Sequence, residues 1–146
     1  VTPAFLYAAL LWPVVRREAE SIITDGTPRL RALQLAGHHA IDAQLATIAI
    51  PKRFSIPMRE IWTLQQRLET AHGQRAIAVL KHPRFRAAYD FLLLREETGE
   101  SVNDRGIFWT ELQKEHPIDR EAIRQADKKR PRRRRKPSNN NRGATE

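Results

Sequence analysis

The sequence predicts an all-α fold: a compact bundle of about six helices over residues 1–127, followed by a disordered basic tail over residues 128–146. Apolar residues recur three and four positions apart along most of the chain, which is the spacing of one helix face. Val, Ile and Thr do not alternate with polar residues in the manner of strands. Residues 128–137 consist only of basic residues and proline, so they have nothing to bury.

Two helices are predicted before residue 50. Thr2-Pro3 opens the first with a hydroxyl cap and a proline at the first helical position. Pro13 lacks a backbone donor and should kink or split this helix, and Asp25-Gly26 should end it. Thr27-Pro28 repeats the opening pattern for the second helix, which Ile50-Pro51 breaks.

Three further helices are predicted between residues 50 and 99. Ser55 is the expected cap of the third helix, and His72-Gly73 ends it. A short fourth helix closes at His82-Pro83. The fifth begins near Phe85 and ends near residue 98, where Gly99 is the expected terminator.

The last folded elements are predicted to be shorter. Asn103 or Asp104 should cap a sixth helix that ends at His116-Pro117. Asp119 should cap a final weak turn. The aromatic residues Trp62, Phe85 and Tyr89 lie on apolar stripes of these helices, so we expect them in the core.

Composition limits the classes of protein that fit. The chain has no cysteine, which excludes disulfides and thiolate metal sites and agrees with a reducing cytoplasm. The longest apolar run, residues 4–15, is shorter than the roughly 20 residues of a membrane span and lacks a signal-peptide leader. Because the first residue is Val1 and not Met, we expect a fragment or a processed piece of a longer cytoplasmic protein, with the missing motifs upstream.

The net charge of +9 is concentrated in two blocks. Residues 50–86 carry eight basic and two acidic groups, and residues 128–146 carry nine basic groups and one acidic group. Residues 87–127 between them carry five basic and ten acidic groups. Two cationic blocks that flank an acidic one favour a polyanionic partner.

The internal block supplies the candidate phosphate-binding residues. A solvated surface is the alternative interpretation, but two acidic residues cannot balance eight cations. Arg84 and Arg86 are the strongest candidates, because they open a helix whose free amides also favour phosphate. Phe54, expected in a loop between basic residues, is the aromatic nominated to stack on a base. The full set of internal candidates is Lys52, Arg53, Phe54, Arg59, Arg75, Lys81, Arg84 and Arg86.

The tail supplies a second candidate site. Its four consecutive arginines should bind any polyanion without sequence preference, and their binding should weaken steeply with salt. The tail candidates are Arg132, Arg133, Arg134 and Arg135.

No metal site is predicted, because the neighbouring His38 and His39 point to different sides of a helix.

Two long segments give the chain a specific resemblance. Residues 50–65 read IPKRFSIPMREIWTLQ and residues 80–95 read LKHPRFRAAYDFLLLR. Both closely resemble the C-terminal half of bacterial poly(A) polymerases, as do residues 2–5, residues 11–13 and the arginine-rich tail. The resemblance is close over roughly residues 1–115 and compositional in the tail. The family often has paired tryptophans where this chain has Phe108-Trp109, a conservative departure.

The resemblance implies a function divided between two parts of a polypeptide. The family is similar to the tRNA nucleotidyltransferases and carries its chemistry on an N-terminal head, where an Asp-x-Asp pair holds magnesium. No two aspartates here are separated by one residue, so we expect no catalytic residues and no cofactor in this chain. The resemblance implies that the head uses ATP and Mg²⁺ to add AMP to RNA 3′ ends in mRNA processing and decay. It also implies that this chain binds single-stranded RNA beside that catalytic head.

Two alternatives remain open at this point. The chain could be the C-terminal region of a tRNA CCA-adding nucleotidyltransferase, which shares the enzyme class but differs in product. It could also be a non-enzymatic module that interacts with RNA or protein. In that case the acidic segment 87–127 would dock a partner or fold back on the basic tail.

Overall fold

The structure, a computed structural model, describes residues 2–47 and 50–129, apart from the side chains of residues 124 and 126–129. This part of the chain contains helices and no strand, which confirms the all-α prediction. It has seven helices, one more than expected, because the segment predicted as a weak final turn is a helix. They are α1 Pro3–Thr24, α2 Arg29–Leu45, α3 Lys52–Thr70, α4 Gly73–Leu80, α5 Phe85–Glu97, α6 Arg105–Glu115 and α7 Arg120–Lys129.

Helix α1 begins and ends where its sequence signals predict. The Thr2 hydroxyl accepts a hydrogen bond from the Phe5 amide at 3.3 Å. Asp25 occupies the C-cap and Gly26 follows with φ of +88°, a left-handed conformation that suits glycine. The prediction that Pro13 could split the helix is wrong, since α1 continues through it as one element.

Proline, rather than a hydroxyl, precedes the next two helices. Pro28 and Pro51 hold the N-cap positions of α2 and α3, with φ near −55° and −57° and no side-chain cap. The predicted cap Ser55 lies instead inside the first turn of α3, where its hydroxyl donates to the Lys52 carbonyl at 3.2 Å. Helix α3 starts earlier than predicted because proline fixes φ at a value that leads directly into a helix.

The start of α6 is stabilised by a side chain of α5. Asp104 occupies the predicted N-cap position, but its backbone is left-handed and its side chain makes no capping hydrogen bond. The carboxylate of Glu96 takes that role, since its Oε1 accepts from the Gly106 amide at 2.8 Å. A Cβ at position 106 would collide with the same carboxylate, which explains the glycine there.

The segment after Pro117 is more helical than expected. Asp119 Oδ1 accepts hydrogen bonds from the amides of Glu121 and Ala122 at 3.0 and 3.1 Å, as its predicted capping role requires. The helix that follows ends at Lys129, two residues past the predicted domain boundary. The predicted disordered tail from residue 130 onward, with Arg132–Arg135, lies outside the described residues.

Two apolar clusters meet along α3. The first combines α1, α2 and the N-terminal half of α3, and the second combines the C-terminal half of α3 with α4, α5 and α6. Trp62 belongs to the first cluster and donates its indole N–H to the Ala8 carbonyl at 3.0 Å. Trp109 belongs to the second and donates to the Leu68 carbonyl at 2.9 Å. Both rings are buried, so the clusters are pinned to α3 by hydrogen bonds as well as packing.

Arg95 of α5 joins these clusters through a buried ionic network. It is 5% exposed and forms ion pairs with Glu69 at 2.8 Å and Glu100 at 2.9 Å. Glu100 also accepts the Trp12 indole N–H at 2.7 Å, and the Arg95 guanidinium lies 4.7 Å from the Trp12 ring. Glu69 in turn binds Arg29 at 2.7 Å. One cation therefore connects α1, α2, α3 and α5.

Arg105 caps the C-terminal end of α3. Its Nε donates to the Leu68 carbonyl at 2.7 Å and its Nη2 donates to the Ala71 carbonyl at 2.6 Å. A helix end exposes unpaired carbonyls and partial negative charge, so a cation is favoured there. Burial lowers the pKa of Arg105 below its ordinary value, because desolvation disfavours the charged form.

Within the described ranges, no helix has the length and apolar character needed to cross a bilayer.

The Arg95 network generates a stability prediction. Arg95→Met keeps an unbranched apolar stem but removes the guanidinium, which leaves Glu69 and Glu100 without their shared cation. We expect the free energy of unfolding to fall by about 3 kcal/mol, because removal of one member of a buried ion pair leaves the opposite charge buried without compensation. Urea denaturation measures the loss. Arg17→Met, an exposed arginine on α1, should change stability by less than about 0.5 kcal/mol. Equal effects from both variants would contradict a structural role for the network.

The contact between α2 and α3 generates a second prediction. A Cβ at Gly37 would lie 2.9 Å from the buried Trp62 ring, so Gly37→Ala should destabilise the fold by about 1–2 kcal/mol. The gain in helix propensity, about 1 kcal/mol, opposes this loss and limits its size. In a Trp62→Phe background the ring is smaller, and the same change should cost less. Thermal unfolding of the four proteins in this double-mutant cycle gives the coupling. Additive effects would show that the close contact is unimportant.

Candidate nucleic-acid interface

The predicted basic residues do not form one patch. Lys52 and Arg53 lie in the first turn of α3, whereas Arg75 lies in α4, and Arg84 and Arg86 lie at the start of α5. At 1.5 Å per residue, the first turn of α3 is roughly 20 Å from the turn of α3 that faces α4. The candidates are thus spread along α3: Lys52 and Arg53 lie at its N-terminal end, Arg75 lies in the helix that follows its C-terminal end, and Arg84 pairs with Glu60 near its middle.

A polar stripe runs along α3 between these positions. At 100° per residue, its six members fall on one side of the helix, opposite the residues that enter the core. All six are exposed or half-buried. The buried Nε of Arg59 has no hydrogen-bond partner among the described residues. The stripe consists of Lys52, Arg59, Thr63, Gln66, Arg67 and Thr70.

Phe54 does not lie in the predicted loop. It belongs to the first turn of α3, is half-buried, and packs beside Tyr7 with ring centroids 6.4 Å apart. The guanidinium of Arg53 lies over its ring, 4.8 Å from the centroid. Because Pro51 is the N-cap, α3 begins earlier than predicted and includes Phe54. Stacking of a base on Phe54 stays a prediction, and these two neighbours compete with it.

The other aromatic residues are where the sequence places them. Trp62 and Phe85 are fully buried and Tyr89 is 7% exposed, which confirms their core positions. The Tyr89 hydroxyl is 2.7 Å from the Thr110 hydroxyl, so its polar end is also satisfied. Base stacking therefore cannot use these rings without unfolding the core.

Arg84 and Arg86 each have an acidic partner. Arg84 Nε donates to Glu60 at 2.9 Å, and Arg86 Nε lies 3.0 Å from Asp90. Both pairs are exposed, so they are weak and a phosphate could replace the carboxylate. The amides of Arg84 and Phe85 donate to the His82 ring and carbonyl at 3.0 and 2.9 Å. Two amides that were expected to be free for phosphate are thus already used.

Arg67 and Arg75 differ from this pair. Both are exposed, and in the part of the chain that the structure describes no carboxylate lies within 4.0 Å of either guanidinium. Together they line a cleft of about 400 Å³ between α3 and α4. The remaining lining residues are Gln66, Thr70, Ala71, Ala78, Val79 and His82.

His82 joins this cleft to two smaller depressions. One, of about 110 Å³, lies between α2, α3 and His82 and includes Glu60 and Arg67. The other, of about 20 Å³, lies between His82, Arg86 and Arg120. We call the three together the His82 groove. Its lining includes Arg67, Arg75, Arg86 and Arg120, so cations from four helices line depressions that have His82 in common.

Comparison with known proteins assigns the family. The family model described as "Polymerase A arginine-rich C-terminus" matches residues 25–142, most of the chain. The chain belongs to this family. The resemblance noted in the sequence is thereby confirmed, and the matched range includes the tail arginines.

Individual relatives agree with the family assignment. The chain is 37% identical over 126 residues to poly(A) polymerase I of Escherichia coli O6:H1, 35% to that of Salmonella typhi and 32% to that of Haemophilus influenzae. Each alignment covers 84% of this chain but only 27% or 28% of the relative. The chain therefore spans about a quarter of the length of these polymerases.

Three residues that line the His82 groove were not nominated from the sequence: Arg67, His82 and Arg120. Arg67 was counted in the internal block but not nominated, although its position in the stripe with Arg59 and Gln66 could have singled it out. His82 reads as an ordinary helix-end residue, and nothing local indicates that three depressions meet there. Arg120 was missed because it belongs to a segment whose net charge is negative.

The described residues contain no group of three or more His, Asp or Glu side chains arranged to hold a metal ion.

Proposed function

We propose that this chain is the RNA-binding part of a poly(A) polymerase and that single-stranded RNA lies in the His82 groove. Family membership supports the enzyme class, and the relatives named above are poly(A) polymerases. The observation that carries the proposal is the pair Arg67 and Arg75, two exposed cations that line one cleft and have no carboxylate within 4.0 Å among the described residues. A cation with no carboxylate partner is free to neutralise a phosphate.

Electrostatics explains how the groove would bind RNA. Each arginine that neutralises a phosphate releases condensed counterions, which supplies affinity without reading sequence. A guanidinium also presents several donors to phosphate oxygens in a fixed geometry. The proposed role is to keep an RNA strand attached so that its 3′ end stays near the site of nucleotide addition.

The acidic residues near the groove would moderate this binding. Glu60 lies in the depression beside Arg67 and pairs with Arg84, and Asp90 pairs with Arg86. RNA that enters the groove must displace or tolerate these carboxylates. Moderate affinity suits a strand that has to advance as its 3′ end grows.

The chemistry would take place in another part of the polypeptide. In the proposed enzyme, a catalytic head uses ATP and Mg²⁺ to add AMP to the RNA 3′ end, in the cytoplasm. The aspartates of this chain lack the spacing for a metal-binding pair, so its own contribution is to hold RNA. The names of the relatives favour this proposal over a CCA-adding enzyme.

Single substitutions on the groove test the proposal. Arg67→Gln and Arg75→Gln should each weaken binding of the 146-residue chain to single-stranded RNA several-fold at low salt. Each should also reduce the slope of log affinity against log salt by about 0.7, the value for one phosphate on a single strand. Fluorescence anisotropy over a salt series gives both quantities.

The matched control for these variants is Arg17→Gln. Arg17 is an exposed arginine on α1, outside the groove, and its loss changes the net charge by the same amount. We expect less than about a twofold effect on affinity from it. If all three variants behave alike, the groove is not the binding surface. RNA would then be held by the tail or by net charge alone.

Removal of Glu60 should have the opposite effect. Glu60→Gln frees Arg84 and removes a negative charge from the groove, so RNA affinity should rise about two- to fivefold at low salt. Glu111→Gln breaks a comparable exposed pair with Lys114 on α6, away from the groove. It should leave affinity nearly unchanged. An equal gain from both variants would indicate only a long-range effect of net charge.

A further inference from the structure

The cleft between α3 and α4 has features that phosphate binding does not require. Its volume of about 400 Å³ is within the range of small-molecule pockets, roughly 300–1,000 Å³. A site that only neutralised a backbone could be flat and entirely polar. This one is a cleft whose lining includes the apolar residues Ala71, Ala78 and Val79. Resting on the function proposed above, we propose that the cleft takes one unstacked base of the bound strand.

The apolar lining of the cleft suits the face of a flat ring. Ala71 and Val79, which line the cleft, are each 7% exposed, and Ala78, which precedes Val79 on α4, is exposed. These small side chains leave the space open and provide an apolar surface for a base. Proteins that recognise single-stranded RNA commonly bind bases that are unstacked from their neighbours.

Arg67 and Arg75 can serve the base as well as its phosphates. Both line the same cleft as the apolar residues, one from α3 and one from α4. The planar guanidinium of arginine stacks on bases, and bases inserted into proteins are held in this manner. The absence of carboxylate partners within 4.0 Å in the described part leaves both planes available.

Gln66 supplies the hydrogen-bonding group. Its side-chain amide lines the cleft, is half-buried, and makes no hydrogen bond to another described residue. The neighbouring Gln65 is different, because its amide is buried and bonds to Ile61, Ala88 and Arg95. An amide offers a donor and an acceptor side by side, which matches the edge of a nucleobase. Of two adjacent glutamines, one thus holds the fold and the other faces the cleft.

Filling the cleft without changing its charge tests this inference. Ala78→Leu adds volume at an exposed helical position and keeps every cation in place. We expect it to weaken binding of a uridylate oligomer of about ten nucleotides by about fivefold or more. Binding of an abasic phosphodiester of the same length should change by less than about twofold, because it has no base to lose.

Two further variants complete the experiment. Ala43→Leu makes the same change on an exposed face of α2, outside the cleft, and should affect neither oligomer. Gln66→Ala removes the amide without adding volume, and it should also weaken only the uridylate oligomer. Its result keeps the inference testable if Ala78→Leu disturbs the fold, which circular-dichroism melting would reveal.

The outcomes separate this inference from the proposed function. If Ala78→Leu and Gln66→Ala weaken both oligomers equally, or neither, the cleft takes no base and the inference is overturned. The proposed function survives that result as long as Arg67→Gln and Arg75→Gln still weaken both oligomers more than Arg17→Gln does. If the arginine variants have no effect, the groove does not bind RNA at all, and both fail together.

Discussion

The fold depends on the side chain of Arg95, a cation that is almost completely buried. Arg95 holds two carboxylates and the face of Trp12, and through them it fixes α1, α2, α3 and α5 relative to one another. Such a charge is costly to bury alone, so each member of the network needs the others. The polar stripe of α3 lies outside this network, and its residues Gln66, Arg67 and Thr70 line the His82 groove.

Arginine has three distinct roles in this chain. Arg95 and Arg105 are buried and hold helices together, and Arg105 does so by capping the carbonyls at the end of α3. Arg84 is exposed but paired with an acidic neighbour. Arg67 and Arg75 are exposed and have no carboxylate within ion-pair distance in the described ranges. These groups contribute equally to the net charge, whereas the proposed RNA binding depends on the last group.

Local patterns in the sequence predicted most of the fold. Helical spacing and glycine or proline signals placed six elements, and apolar periodicity placed Trp62 and Phe85 in the core, because these features depend on neighbours along the chain. The helix start near Ser55 was misplaced because proline outweighed the hydroxyl. The groove was only partly predictable. His82 and Arg120 join it through contacts across the fold, and the ion pair that occupies Arg84 connects residues far apart in sequence.

The central claim is that RNA lies in the His82 groove, and mapping its contacts on the whole chain tests it most directly. In a titration of isotope-labelled protein with a short single-stranded RNA, NMR shifts of side-chain and backbone groups report the contact surface. The account predicts the largest changes at Gln66, Arg67, Arg75 and His82, with the buried Arg95 and Arg105 little affected. Changes confined to residues 130–146, with the groove unperturbed, would contradict it.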